Sequence, residues 1–277
     1  MKSPAIAERA AFGRTIGVIA VAGSVLLLAG CAPDSAVMGS GTDVTASYQA
    51  GMTRSGFLSD YARLKPTAWG QGIECWREDN LNASRYNKVL ISRIVVSLAP
   101  PSDQGKQQTI DPNDLKTLTD YFHSALVKAL KPQMQVVDAA GPGVLVLRIA
   151  VTNLVPTTVS DSLAGTLIPY AFVAEAGSGV ATGRPAGSTP YMGETGMEMQ
   201  FRDGASGAIL GECRDTQIGR KYAAATDAGA VGAAETWASG YLSSFQAWTY
   251  ARDAFDKWSL EVAMRLGQLR GVAPPAK

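Results

Sequence analysis

Leu28-Ala29-Gly30-Cys31 is the short motif in this chain whose residue types dictate a definite chemistry. Small residues ahead of a cleavage point fit a narrow peptidase site, and a cysteine directly after it supplies a thiol that can take a diacylglycerol. What precedes it agrees. Lys2, Arg9 and Arg14 make a basic start, relieved only by Glu8, and Ile16 to Leu28 is apolar or small with no charge. That run is shorter than the roughly 20 residues of a membrane-spanning helix, but it suits the apolar core of an export signal. Residues 1–30 are therefore read as a lipoprotein signal peptide and Cys31 as the lipid-modified N-terminus. Ala32 stands where an Asp is the usual inner-membrane retention signal of Gram-negative bacteria, so the expected location is the periplasmic face of the outer membrane.

Other reactive residue types are sparse. His123 is the only histidine, so a Ser-His-acid triad would have to pass through it, and no nearby Ser and Asp are arranged to do so. It reads as a helix-flank residue half covered by packing. HExxH, CxxC, GxSxG and P-loop patterns are absent, and Gly177-Ser178-Gly179 with Gly183 imitates a dinucleotide loop without the strand before it or the helix after it. No cofactor or metal is expected. Cys75 and Cys213 remain once Cys31 is acylated. Two thiols in an oxidising compartment suit a disulfide closing a long loop, worth roughly 4–5 kcal/mol by chain entropy; two separate buried thiols are the alternative.

Three of the 25 Lys/Arg and one of the 24 Asp/Glu fall in residues 1–30, so the remaining 247 residues carry a charge of about −1. A near-neutral body has no long-range attraction for nucleic acid. A small-molecule ligand stays open.

The elements that must position these residues follow from pattern. Residues 31–54 are mostly small and polar and read as a flexible tether with a reach of roughly 25–30 Å. Residues 55–83 hold no period but many aromatics, and read as an extended arm packed on the domain. The domain proper is 84–272, with 273–277 a tail. Residues 88–98 suit a mostly buried strand. Asp111-Pro112-Asn113-Asp114 is a helix start, and Leu115, Leu118, Phe122, Leu126 and Ala129 form its stripe. Val136-Val137 begins a short strand. Residues 144–153 and 194–203 alternate as half-buried strands, and a turn at Asp203–Gly207 leads into a strand from Ala208 to about Ile218. The stretch 155–192 is too long for an ordinary connection and reads as an insertion. Trp237, Tyr241, Phe245, Trp248, Phe255, Trp258, Val262, Leu266 and Leu269 share one helical face. A single helix over 237–270 would span about 50 Å, against a body about 40 Å across, so it should bend near Gly240 or Ser243-Ser244 or overhang. The fold expected is α+β: a mostly antiparallel sheet of about five strands with two helices packed on one face.

On this layout Glu198 and Glu212 oppose each other across the hairpin, about 5 Å apart on the face away from the core. Such a pair can share a proton or bind a cation. Arg202 and Arg214 lie on the same face, which makes a solvated charge lattice the simpler reading. In the same register Cys213 faces Met197 on the inner side.

The lipobox at Cys31, the arm residues Ser55–Tyr61 and Leu64–Pro66, the strand around Val89–Val96 and the hairpin Met197–Ile209 with Asp203 and Gly207 at its turn resemble a family of bacterial lipoproteins catalogued as domain of unknown function thirty-three thirteen. The resemblance implies a lipoprotein and no particular reaction.

The function expected is a non-enzymatic outer-membrane lipoprotein that binds an envelope protein partner, attached to the membrane through Cys31. The partner surface is placed at Leu167, Tyr170 and Phe172 of the insertion and at Trp237, Tyr241 and Trp248. Two rival readings are kept. A peptidoglycan- or glycan-binding module would use Trp69 and Trp76. An envelope hydrolase would use the paired carboxylates in a concave pocket.

Overall fold

Residues 44–67, 72–96, 110–167, 175, 178–222, 229–243 and 245–272 are described in a computed structural model of the chain. All lie within Pro33–Lys277, the second of the two units into which the chain divides. In chain order the strands are β1 Thr45–Ser47, β2 Lys65–Pro66, β3 Glu74–Arg77, β4 Lys88–Ile91, β5 Val95–Val96, β6 Gln135–Val136, β7 Val144–Val155, β8 Glu194–Asp203 and β9 Ile209–Gly219. The longer helices are α1 Pro112–Leu130, α2 Val159–Leu167, α3 Gly229–Ser243 and α4 Thr249–Arg270.

The class is α+β, but the expected five antiparallel strands become nine in one mixed sheet among the described residues, ordered β2-β3-β9-β8-β7-β4-β6. β1 adds to β9 and β5 adds to β7. Two physical causes account for the difference. The strand–helix–strand run β4-α1-β6 is a crossover, which makes neighbouring strands parallel: β4 pairs in parallel with both β6 and β7. The N-terminal segment then contributes β1, β2 and β3, each two to four residues long, too short for any periodicity to show. Residues 45–47, given to the tether by composition, pair antiparallel with Gly219, Ile218 and Gln217, and Thr45 and Ala46 are buried. The strand expected over 88–98 breaks into β4 and β5. Ile91 pairs with Leu147 and Val95 with Ala150, so four steps on one strand span three on the other. That is a bulge.

α1 starts where its capping chemistry puts it: Asp111 accepts a hydrogen bond from the Asn113 amide and Pro112 sits in the first turn. Its stripe Leu118, Phe122, Leu126 and Leu130 is fully buried, each side chain contributing about 1.5–3 kcal/mol by burial. His123 is exposed rather than half covered. The Phe122 and Phe255 rings stack at 4.4 Å and 5°, with Trp258 tilted against both. α1 and α4 thus close over Leu145, Leu147, Ile149, Val151, Met197 and Met199. The long C-terminal helix is two helices, broken between Ser243 and Thr249. The Tyr250 hydroxyl donates to the Gly240 carbonyl at 2.8 Å and holds the corner. α4 stops at Gly271, whose φ of 69° is the left-handed cap that glycine allows. The insertion carries α2 and a helical turn at 178–181.

The β8–β9 hairpin differs from the expected register by two residues. Gln200, not Glu198, opposes Glu212; Glu198 opposes Arg214; and Cys213 faces Met199 rather than Met197. The Asp203 amide donates to the Ala208 carbonyl, and Asp203 Oδ1 takes the amides of Ala205 and Ser206 and the Ser206 hydroxyl. This tight turn, with Gly207 at φ 73°, puts an irregularity at Phe201/Arg202, and every pair beyond it moves.

Candidate functional site

Glu198 and Glu212 do share the face away from α1 and α4, but that face is not solvated. Both are fully buried. The arm crosses them, and its serines, four residues apart, repeat one grip. Ser55 gives Glu198 its amide at 3.0 Å and its hydroxyl at 2.7 Å. Ser59 gives Glu212 its amide at 2.8 Å and its hydroxyl at 2.9 Å. Tyr61 adds its hydroxyl to Glu198 at 2.7 Å, while Arg63 and the Gln200 amide donate to Glu212 at 2.7 and 2.6 Å. Burial pushes the Glu212 carboxyl up, but Arg63, Ser59 and Gln200 together hold it below the ordinary carboxylate range. Tyr61 is raised, first by burial and then by Glu198, so its phenol stays a donor.

The surrounding arginines complete the clasp. Arg63 lies 3.5 Å over the Trp76 ring, Arg148 lies 5.1 Å over Phe57, and Arg214 pairs with Glu74 at 2.6 Å. The solvated lattice is therefore a buried polar layer under a strap. The paired carboxylates of the hydrolase reading are each ringed by donors, and Glu212 moves opposite to an acid kept protonated for catalysis. Trp76, offered for glycan stacking, is half-buried with one ring face under Arg63. Trp69 lies outside the described residues, as do Cys31, Tyr170 and Phe172. Sequence reasoning did not show what this segment holds, because two serines four residues apart are too common a pattern to signal a pair of carboxylate grips.

Cys75 and Cys213 form a disulfide between directly opposed residues of β3 and β9, 138 residues apart in sequence. It staples the arm's last strand to the sheet. Its sulfurs border an apolar cavity of about 200 Å³ between the sheet and the C-terminal half of α4. The walls include Met197, Met199, Phe201, Leu210, Trp258 and Leu266, and Arg77, Glu261, Arg265 and Arg270 bring charge to it.

A second polar centre sits where β9 ends. Lys221 is fully buried. Its ammonium donates to Glu175 at 3.1 Å, to the Ser162 carbonyl of α2 at 3.0 Å and to the Tyr191 hydroxyl at 3.3 Å. The rings of Tyr191, Tyr222, Tyr241 and Phe245 lie within 6.0 Å of it, and the Tyr222 hydroxyl donates to Glu175. One cation thus ties α2, the insertion and α3 together. Around this hub the helices turn apolar side chains outward. Leu163 and Leu167 on α2 are 45% and 79% exposed, and Val231, Trp237 and Leu242 on α3 are 72%, 48% and 63% exposed. Trp237 stacks on Tyr241 at 5.2 Å and Tyr241 meets Phe245 edge-on, a ladder from surface to hub. Of the expected partner residues, Trp237 stacks on Tyr241, which reaches the hub, while Leu167 is exposed at the end of α2. Trp248 is half-buried against the main core and donates Nε1 to Asp114 at 2.9 Å.

Among the described residues no group of three or more His, Cys, Asp or Glu side chains is placed to hold a metal ion, and no helix is long and apolar enough to cross a membrane.

Comparison with known proteins gives distant and nearer likenesses. The PelC dodecamer from Paraburkholderia phytofirmans has a chain that is similar over 63% of this one and 98% of its own, at 13% identity and a TM-score of 0.29. A DUF4136 family protein from Bacteroides thetaiotaomicron is similar over 63% and 96%, at 10% identity and a TM-score of 0.24. The uncharacterized lipoprotein YdcL of Escherichia coli strain K12 is 30% identical over 132 residues, which are 47% of this chain and 56% of that protein; the chain thus spans about half the length of the curated relatives it matches. Residues 53–243, which include the serine clasp, the hairpin and Lys221, match the family described as protein of unknown function DUF3313, and the chain belongs to that family.

Proposed function

We propose that this protein is an outer-membrane lipoprotein, anchored through lipid on Cys31 with its body on the periplasmic side, and that it acts by binding a protein partner of the envelope without catalysing a reaction. The observation that carries the reading is the exposed apolar surface around the Lys221 hub. α3 carries a single charged residue, Glu235, in fifteen, and Val231, Trp237 and Leu242 on it are exposed, as are Leu163 and Leu167 on α2. Large apolar side chains left exposed on two helices that meet one hub are of the kind that mark binding faces, and a stacked tryptophan is the type of residue that anchors them. The occupant that suits so sparsely charged a face is the apolar face of a protein. Membership of the family and the likeness to a lipoprotein support the anchor.

The test is photo-crosslinking in intact envelopes from a probe residue at Leu167 or Leu242, with Asp60 on the arm as the control position. The reading expects one discrete protein adduct from both surface positions, lost on Trp237→Glu, and none from the control. Equal adducts from all three positions, or none from the two surface positions, would refute it. Density fractionation of wild type and Cys31→Ser tests the anchor. Wild type should sediment with outer membranes and the variant should be soluble in the periplasm.

A further inference from the structure

We propose that the cavity under the C-terminal half of α4 binds a single-chain fatty acid, its hydrocarbon between α4 and the sheet and its carboxylate at the arginines of the rim. The first support is the cavity itself. At about 200 Å³ it exceeds the about 150 Å³ apolar cavity that takes up benzene, and at roughly 30 Å³ for a group of water's size it accepts roughly six or seven chain carbons. Its walls suit a chain better than a ring. Met197 and Met199 project from β8 and Leu210 from β9, facing Val262 and Leu266 of α4. Methionine adapts its three torsions to an irregular guest.

The second support is the sign of charge at the rim. Arg77, Arg265 and Arg270 border the cavity against one carboxylate, Glu261. Arg77 is exposed and makes no ion pair among the described residues. Arg265 is held below the ordinary guanidinium range, first by burial and then by the like charge of Arg77, so two cations stand within reach of one another. The Nε of Arg270 is buried with no hydrogen-bond partner, although its Nη1 donates to the Gln133 carbonyl at 2.8 Å. A carboxylate at this rim would relieve the repulsion and meet the orphan donor. A cationic head group would do neither, and a neutral one could meet the donor but would not relieve the repulsion.

The inference is independent of the partner-binding reading, because the cavity and the Lys221 hub share no lining residue. Its test uses the full mature chain carrying Cys31→Ser, which needs no detergent, with octanoate, octylammonium and octyl glucoside as probes in calorimetric titration and thermal unfolding. Octanoate should fill one saturable site and raise the unfolding temperature, and octylammonium should bind at least tenfold more weakly. Arg77→Gln with Arg265→Gln should weaken octanoate at least tenfold while leaving octyl glucoside unchanged. Val262→Phe, which fills the cavity, should abolish octanoate binding in a chain whose circular dichroism is that of wild type. Non-saturable octanoate uptake, equal affinity for octylammonium, or undiminished octanoate binding by folded Val262→Phe would each overturn the proposal.

Discussion

Glu194 should make this protein less stable as pH rises from 4.5 toward neutrality, the reverse of the usual behaviour of a carboxylate. It opens β8, opposite Val155 on one side and Ile218 on the other, and its Oε1 accepts the Asn153 side-chain amide at 2.6 Å. Burial pushes its carboxyl from 4.5 up to about 7, against the weaker pull of Arg184 and Asn153. Below pH 4.5 the group is protonated in both folded and unfolded chains and shifts nothing. Between 4.5 and 7 the folded protein keeps a proton that the unfolded chain has released, so each pH unit costs about 1.4 kcal/mol. Above 7 both states are ionised and the penalty is constant, at about 3 kcal/mol. Glu194→Gln removes the charge and keeps a carbonyl that can still accept from Asn153. Urea unfolding of wild type and Glu194→Gln should therefore give matching free energies at pH 4.5 and diverge above it. By pH 8 the variant should be more stable by about 3 kcal/mol, with an unchanged m-value. A pH-independent difference, or a variant weaker than wild type at pH 8, would show that the carboxylate is solvated or paired and that the reasoning fails.

Three further outcomes follow from the polar centres. Glu212→Ala leaves Arg63 and Gln200 without their acceptor and should cost about 3–5 kcal/mol; limited proteolysis should then cut first between residues 55 and 63, and an arm as resistant as in wild type would count against the clasp. Lys221→Met strands Glu175 and should cost about 3–5 kcal/mol in thermal or urea unfolding, while adding Glu175→Leu should recover most of it. Cys75→Ser opens a loop of 138 residues and should lower stability by about 5 kcal/mol by chain entropy, read as the gap between oxidised and reduced wild type in urea.

What could be read from sequence was whatever repeats or caps. The α1 start at Asp111-Pro112, its buried stripe and the alternating β7 and β8 all rest on local chemistry that no tertiary contact overrode, and the break after Ser243 on the length of the helix against the size of the body. The rest depended on long-range partners. β1, β2 and β3 are strands only because β9 and its neighbours supply hydrogen bonds; in isolation they are too short to carry a pattern. The acids Glu198 and Glu212 were singled out, but their environment was misjudged, since alternation says which face a side chain takes and not what lies across that face. The two-residue register error has a local origin. The capped turn at Asp203 and the bulge beside Arg202 decide pairing, and neither changes the hydrophobic alternation, which a shift of two leaves intact. Lys221 gave no warning because a lone lysine after a strand is ordinarily a solvated end.

The geometry of β9 connects these parts. Its first half, residues 211–214, pairs with β3 and carries the disulfide beside the cavity. Its second half, residues 217–219, pairs with β1 and runs into Arg220, whose amide donates to the Val44 carbonyl at 2.8 Å. Lys221 is the next residue. The described chain therefore begins beside the hub that organises the apolar surface, and the cavity lies toward the other end of the same strand. Twelve residues, 32–43, lie between Cys31 and Val44, a span of about 45 Å at full extension. A lipid on Cys31 would then leash the body by the end that presents Trp237 and Leu242, within reach of partners seated in the same membrane. Lengthening this stretch by a Gly/Ser insertion after Asp43 should weaken crosslinking from Leu242 to a membrane-seated partner, because it dilutes a fixed neighbour, and should leave octanoate binding at the far end untouched. Crosslinking unaffected by a long insertion would mean that the partner is soluble and that the anchor's position does not matter to the encounter.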